Sequence, residues 1–210
     1  LEAPERGGPP LAASPREEAE RWLDARDHHL SELEEGRPLD GPLPEGDAGE
    51  HLRAVAARYA EDAAALPLAP FAQAAREAGH EPAALARAFG QPLPRVLRRL
   101  AALPPGQGHP AMGLAVADAS GAILRLKPVE GLPLPSGGAC PLWPLFEALA
   151  QPGRALRLHA ALPGQGAPRL LCHAVAALRE EPLPGEPPVW EATMLVRAAP
   201  AEAAPAERLV

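Results

Sequence analysis

Apolar positions in the first half of the chain recur with the three-to-four-residue spacing of helices. The first helix is predicted to begin at Ser14, a capping residue that precedes Pro15, with Glu17 at the capping-box position. It is predicted to continue to about residue 35, and its apolar face consists of Trp22, Leu23, Leu30 and Leu33. After a linker rich in proline and glycine at 36–49, the spacing predicts helices over 51–66, 71–78, 81–90 and 94–103.

The pattern changes to short apolar runs separated by turn residues in the second half of the chain. Residues 112–116 and 123–126 flank Asp118-Ala119-Ser120-Gly121, which predicts a β-hairpin. Residues 155–162 and 169–175 predict a second hairpin, and 189–197 a last strand, with a helix between the hairpins. The predicted class is α+β: an N-terminal helical segment followed by a small antiparallel sheet with one helix, as in PAS and GAF sensor domains.

Changes in composition divide the chain into four segments. Residues 1–13 are rich in proline and glycine and are expected to be disordered, as is the Ala/Pro/Glu tail at 199–210. Between them lie a helical region at 14–105 and an α+β domain of sensor type at 106–198. The first residue is Leu1 rather than Met, which is consistent with a fragment of a longer protein.

Charge and cysteine content narrow the classes of partner. A net charge of −7 argues against general coating of nucleic acid. Two cysteines, Cys140 and Cys172, do not make a disulfide framework, so a reducing cytoplasm is the expected location. No apolar run approaches the roughly 20 residues of a membrane span, and no membrane partner is expected.

No complete catalytic or metal-binding set is present in the sequence. His80-Glu81 begins an H-E-x-x-H pattern, but Ala84 stands where the second histidine is required. His28, His29 and Glu32 share a helical turn, but such a group is far more often a solvated face than a metal site. We therefore expect neither enzymatic activity nor a metal cofactor, and we expect Cys172 to be a small buried hydrophobe.

The helix pair at 81–103 has two interpretations. As a helix-turn-helix, it would present Arg95, Arg98 and Arg99 to DNA from its second helix. As an ordinary helical hairpin, it would bury the apolar residues Leu85, Phe89, Val96 and Leu100. The hairpin is favoured, because short motif matches have many false positives.

The segment 136–154 combines a glycine pair, a cysteine at the start of a helix and two aromatic residues. Gly137 and Gly138 allow close approach of a partner, and Pro141 suits the first turn of a helix that carries Trp143 and Phe146. A helix N-terminus would favour a thiolate at Cys140. The segment therefore predicts a ligand pocket, with an ordinary packed loop as the alternative.

Four blocks share their order and residues with one group of proteins. The blocks are Trp22-Leu23-Asp24-Ala25-Arg26 with Glu32-Leu33; Leu66-Pro67-Leu68-Ala69-Pro70-Phe71; Leu85-Ala86-Arg87-Ala88-Phe89-Gly90 with Val96 and Arg99-Leu100; and Gly137-Gly138-Ala139-Cys140-Pro141-Leu142-Trp143 with Glu147-Ala148 and Gln151-Pro152-Gly153-Arg154. Together they resemble the C-terminal region of XRE-family short-chain fatty acyl transcriptional regulators. In that family a helix-turn-helix precedes an IrrE/ImmA-like segment and a terminal sensor domain.

The resemblance implies a non-enzymatic module that senses acyl-CoA and controls short-chain fatty acid metabolism. The family's helix-turn-helix has no counterpart here, the IrrE/ImmA-like segment is degenerate, and no Cys follows Trp190, so an iron–sulfur cluster is not expected. DNA would be contacted only through the missing domain. The ligand is expected between the sheet and residues 137–146; the implied contacts are Gly137, Gly138, Cys140, Trp143, Phe146, Arg154, Arg125 and Lys127. The alternatives are a DNA-binding protein that uses 81–103 and a degenerate scaffold that forms a homodimer through its sheet.

Overall fold

A computed structural model describes residues 14–129, 142–161, 169–199 and 208–209. The helices are α1 Pro15–Asp24, α2 Ser31–Glu34, α3 Gly46–Ala65, α4 Leu68–Glu77, α5 Pro82–Phe89, α6 Leu93–Ala101 and α7 Pro144–Ala150. The strands are β1 Met112–Asp118, β2 Ile123–Lys127, β3 Leu156–Ala161, β4 Arg169–Leu178, β5 Trp190–Ala198 and β6 Arg208–Leu209. Within these residues no helix has the length and apolar character needed to cross a membrane.

The first predicted helix is two helices in the structure. The capping box at its start is present, with the Ser14 hydroxyl accepting from the Glu17 amide and the Glu17 carboxylate accepting from the Ser14 amide. The chain then leaves the helix after Asp24, because Asp27 and His28 adopt positive φ angles of 50° and 55° that a continuous helix does not permit. α3 also begins at Gly46, inside the segment predicted as a linker.

The sheet has the strand order β2-β1-β5-β4-β3-β6. Its first five strands are antiparallel to their neighbours, which confirms the α+β class and both predicted hairpins. The sixth strand, β6, pairs parallel with β3 through Ala160 and Arg208, inside the tail that was expected to be disordered. The edge strand β2 is covered by α1, where Glu20 Oε1 accepts from the Leu126 amide at 2.7 Å.

The two faces of the sheet pack against different helices, because side chains along a strand alternate. In β1, Ala115 and Ala117 belong to the cluster that contains α7, whereas Leu114 and Val116 belong to the cluster that contains α4, α5 and α6. A third cluster joins α1 and α3 through Leu23, Leu52 and Tyr59. The helical region at 14–105 therefore packs directly on the sheet, in the order helices, sheet, α7.

Candidate functional site

The residues expected at the loop–helix corner have separate surroundings. Gly137, Gly138 and Cys140 lie outside the described residues. Trp143 is 2% exposed and packs in the core beneath α7, with Phe146 partly buried at the edge of the same cluster. Arg154 is exposed and donates to the Gln151 side chain.

Arg125 and Lys127 lie on the opposite face of the sheet from Trp143 and Phe146. They stand across from Val116 and Leu114, the β1 residues that face the helical layer. A single pocket between the sheet and the loop–helix corner therefore does not contain both the aromatic and the cationic side chains. Arg125 and Lys127 are two positions apart in β2 and so share a face, and the packing of the helices shows which face that is.

Lys127 serves as a link to α6. Its Nζ donates to the carbonyl oxygen of Ala101, the last residue of α6, at 2.6 Å. Burial, with a smaller effect of Arg125, lowers the pKa of Lys127 to about 8. The lysine is therefore committed to the end of a helix, where a cation is favoured by the helix dipole.

Arg125 faces a cavity of about 180 Å³ between the helical layer and the sheet. Arg125 is 9% exposed, and its Nε has no hydrogen-bond partner. The walls come from α3, α6, the sheet and the residue that follows β4. They consist of four arginines, one carboxylate, one histidine and four apolar side chains: Arg58, Arg98, Arg125, Arg179, Glu191, His51, Ala54, Val55, Val116 and Leu124.

Positive charge dominates this cationic cavity. Arg58 Nη1 pairs with Glu191 Oε1 at 2.5 Å, and Arg98 forms two hydrogen bonds of 2.7 and 2.8 Å with Asp62, which does not line the cavity. Arg179 stands at the exposed mouth. Burial lowers the pKa of Arg125, and Glu20 of α1 offsets only part of that effect. Since a buried cation is costly without an anionic partner, the cavity is suited to a negatively charged group.

His51 adds a neutral polar group to the same cavity. Burial lowers its pKa, and the charges of Arg16 and Arg125 lower it further, so the imidazole is uncharged near pH 7. Its Nε2 is buried and has no hydrogen-bond partner. Both His51 and Arg125 thus present polar atoms without a hydrogen-bond partner to the cavity.

Sequence reasoning did not identify Arg58, Arg179 or Glu191 as site residues. Arg58 and Glu191 are 133 positions apart, and Arg179 follows the end of β4 without any local motif. Only a pattern that pairs α3 with β5 would have identified them, and no such pattern is readable from one sequence.

The arginines of α6 make internal contacts. Arg95 and Arg98 both bind the Asp62 carboxylate of α3, and Arg99 is 1% exposed with its guanidinium on Glu34. The residues Leu85, Phe89, Val96 and Leu100 pack in the cluster between the helices and the sheet. The helical-hairpin interpretation is therefore the one that the structure favours, and the DNA-reading α6 loses its support.

The histidines make contacts that need no metal. Arg76 donates to His109 Nε2 at 2.8 Å, so His109 carries its hydrogen on Nδ1 and donates it to His80 Nε2 at 2.9 Å. His28 Nε2 contacts Asp24 at 2.8 Å. In the described part of the chain, no group of three or more His, Cys, Asp or Glu residues could hold a metal ion. Cys172 is 2% exposed in β4, as expected for a small buried hydrophobe.

No protein-family profile matches this chain, but individual known proteins are similar to it. A stretch of 120 residues is 38% identical to the propionyl-CoA carboxylase regulator of Cereibacter sphaeroides, covering 56% of this chain and 26% of that protein. The chain thus matches only about a quarter of that relative's length. A solved structure of a Mycobacterium tuberculosis transcriptional regulator has a TM-score of 0.59 at 22% identity, over 88% of this chain and 55% of that one. The solved structure shows the fold, and both of these similar proteins are named as regulators.

Proposed function

We propose that this chain is the ligand-sensing module of a transcription regulator that responds to a short-chain acyl-CoA. The observation that carries the proposal is the cationic cavity, in which the buried Arg125 has an unpartnered Nε beside apolar walls. The name of the sequence relative, a propionyl-CoA carboxylase regulator, supports the choice of acyl-CoA over other anions. The module binds its ligand without turning it over.

The chemistry of an acyl-CoA matches the two kinds of wall. Its phosphate oxygens accept hydrogen bonds from guanidinium groups, and such charge-assisted bonds are among the strongest in proteins. Val55, Val116 and Leu124 supply apolar contact next to Arg125. A cavity of about 180 Å³ is smaller than the roughly 300–1,000 Å³ of a pocket for a whole drug-sized ligand. It therefore holds one part of the ligand, and the remainder extends past Arg179 at the mouth.

The position of the cavity explains how binding is sensed. Its walls come from α3 and α6 on one side and from β1, β2 and β5 on the other. A ligand that contacts both layers binds one relative placement of helices and sheet better than another. That differential affinity shifts the population between the two placements, which is the signal that the rest of a regulator reads.

Calorimetric titration with propionyl-CoA, acetyl-CoA and free CoA tests the proposal. The wild-type chain is expected to bind with a Kd in the micromolar range or below, and Arg125→Gln to weaken binding at least about tenfold, since the buried cation is lost. Arg87→Gln removes the same charge from an exposed position of α5 and serves as the matched control. Recovery of intact thioester after the titration checks that no turnover occurs. Absence of heat at high micromolar ligand refutes the proposed function.

A further inference from the structure

One ion pair crosses the cationic cavity and joins its two layers. Arg58 of α3 and Glu191 of β5 are 2.5 Å apart, with 26% and 8% of their side chains exposed. α3 packs mainly on α1, α2 and α6, and His51 of α3 also contacts the backbone of Leu124 in β2. The pair is therefore a direct connection from the middle of α3 across the cavity to the sheet.

Glu191 is the only carboxylate among the described residues that line the cavity. Arg98 is held from outside by Asp62, so Glu191 is the internal group that most resembles the anionic part of a ligand. Its charge also lies in a largely buried region, where electrostatic repulsion is weakly screened by salt. A ligand anion that enters must therefore compete with Glu191 for the same arginines.

An alternative partner for the Glu191 carboxylate is close at hand. Glu191 stands opposite Ala177 in the β4–β5 ladder, and Arg179, just after the end of β4, lines the same cavity. Diagonal neighbours of this kind are within reach of long side chains. Arg179 is exposed at the mouth of the cavity, so the carboxylate can turn outward without remaining buried and unpaired.

We propose that Glu191 is an internal competitor of the ligand: Arg58 exchanges Glu191 for the ligand's anionic group, and this exchange releases α3 from β5. The inference rests on the proposed function, because it specifies how the same cavity is regulated. Rearrangement of the Arg58–Glu191 pair is then the structural change that signals that the ligand occupies the cavity. The bound anion then contacts Arg58 of α3 and Arg125, while Glu191 of β5 pairs with Arg179.

Titration of propionyl-CoA into wild type, Glu191→Gln and Glu61→Gln tests the exchange. Glutamine keeps the shape and an acceptor for Arg58 but removes the competing charge, so Glu191→Gln is expected to bind about tenfold more tightly, or about 1.4 kcal/mol. Glu61→Gln removes a carboxylate from the exposed face of α3 and should leave the affinity unchanged. Equal affinity of wild type and Glu191→Gln overturns the inference while the proposed function stands.

A second comparison guards against a folding defect in the single variant. The double variant Arg58→Gln/Glu191→Gln leaves neither charge unpaired, and it should bind propionyl-CoA more tightly than Arg58→Gln, in which Glu191 still competes. The opposite order overturns the inference. Inorganic pyrophosphate provides a probe that is independent of the acyl group. If propionyl-CoA binds to no variant, the proposed function fails, yet greater thermal stabilisation of Glu191→Gln than of wild type by pyrophosphate would still support the internal competitor.

Discussion

Arg99→Met is expected to remove a large part of the stability of the helical layer. Arg99 is 1% exposed, and its Nε donates to the carbonyl oxygen of Leu66 at 2.8 Å. Its terminal nitrogens lie 2.5 and 2.7 Å from the two carboxylate oxygens of Glu34, and the Tyr59 hydroxyl donates to the same carboxylate at 2.6 Å. The guanidinium of α6 thus satisfies acceptors from two other segments, the carbonyl oxygen that follows α3 and the carboxylate of α2.

Removing the guanidinium leaves the Glu34 carboxylate with only the Tyr59 hydroxyl as a close donor. The side chain of Glu34 is 10% exposed, so water replaces little of the lost interaction. Breaking a buried ion pair from one side costs about 3–5 kcal/mol, because the remaining charge has lost its solvent and its partner. Domains are stable by only about 5–15 kcal/mol, so this single change approaches the unfolding limit. Glu34→Gln combined with Arg99→Met removes both charges and should cost clearly less than the two single variants added together.

Urea unfolding of the wild type, both single variants and the double variant measures these costs in one cycle. Arg87→Met, an exposed substitution on α5, is expected to change the free energy of unfolding by less than about 0.5 kcal/mol and controls for loss of an arginine. A loss below about 1 kcal/mol for Arg99→Met, or strict additivity in the cycle, would contradict the reasoning.

The same network predicts a pH dependence. Burial alone would raise the pKa of Glu34, but hydrogen bonds from Arg99 and Tyr59 outweigh it and hold the pKa below its usual value. A depressed carboxyl pKa contributes stability above the pKa of the unfolded chain, and that contribution is lost as the pH falls through the folded value. The difference in unfolding free energy between wild type and the double variant should therefore shrink on acidification.

Three further predictions concern other parts of the fold. Burial raises the pKa of Glu20 to about 7, so the stability that this carboxyl contributes is lost as the pH rises from 4.5 through 7. Glu20→Gln should therefore raise the free energy of unfolding at pH 8 by about 2–3 kcal/mol and change it little at pH 4. Urea unfolding at both pH values checks this. Burial lowers the pKa of both His80 and His109, so the melting temperature of the wild type should fall as the pH drops from 7 to 5. The melting temperature of the double variant His80→Gln/His109→Gln should fall by less, and an equal fall in both proteins would count against this. Gly49→Ala should lower the melting temperature despite the helix preference of alanine, because a Cβ there would overlap the carbonyl oxygen of Pro44; a rise of several degrees would show that the chain relaxes.

Local chemistry was sufficient to predict most of the elements. The capping box at Ser14 and the turn at 118–121 act through neighbours within a few positions, and they appear in the structure where the sequence indicated. The end of α1 was not predicted in this way, since no local motif in the sequence marks the positive φ angles of Asp27 and His28.

The sequence by itself determined the α+β class, the order of the elements and the apolar core of the helix pair, because hydrophobic periodicity and capping are local properties of the chain. The tertiary structure alone decided that Arg125 faces the helical layer while Trp143 packs under α7, and that Arg58 meets Glu191. Strand alternation defines two faces without naming what covers each of them. A cavity whose walls are drawn from positions 51 to 191 exists only after distant elements pack, so its charge could not be read from any one segment.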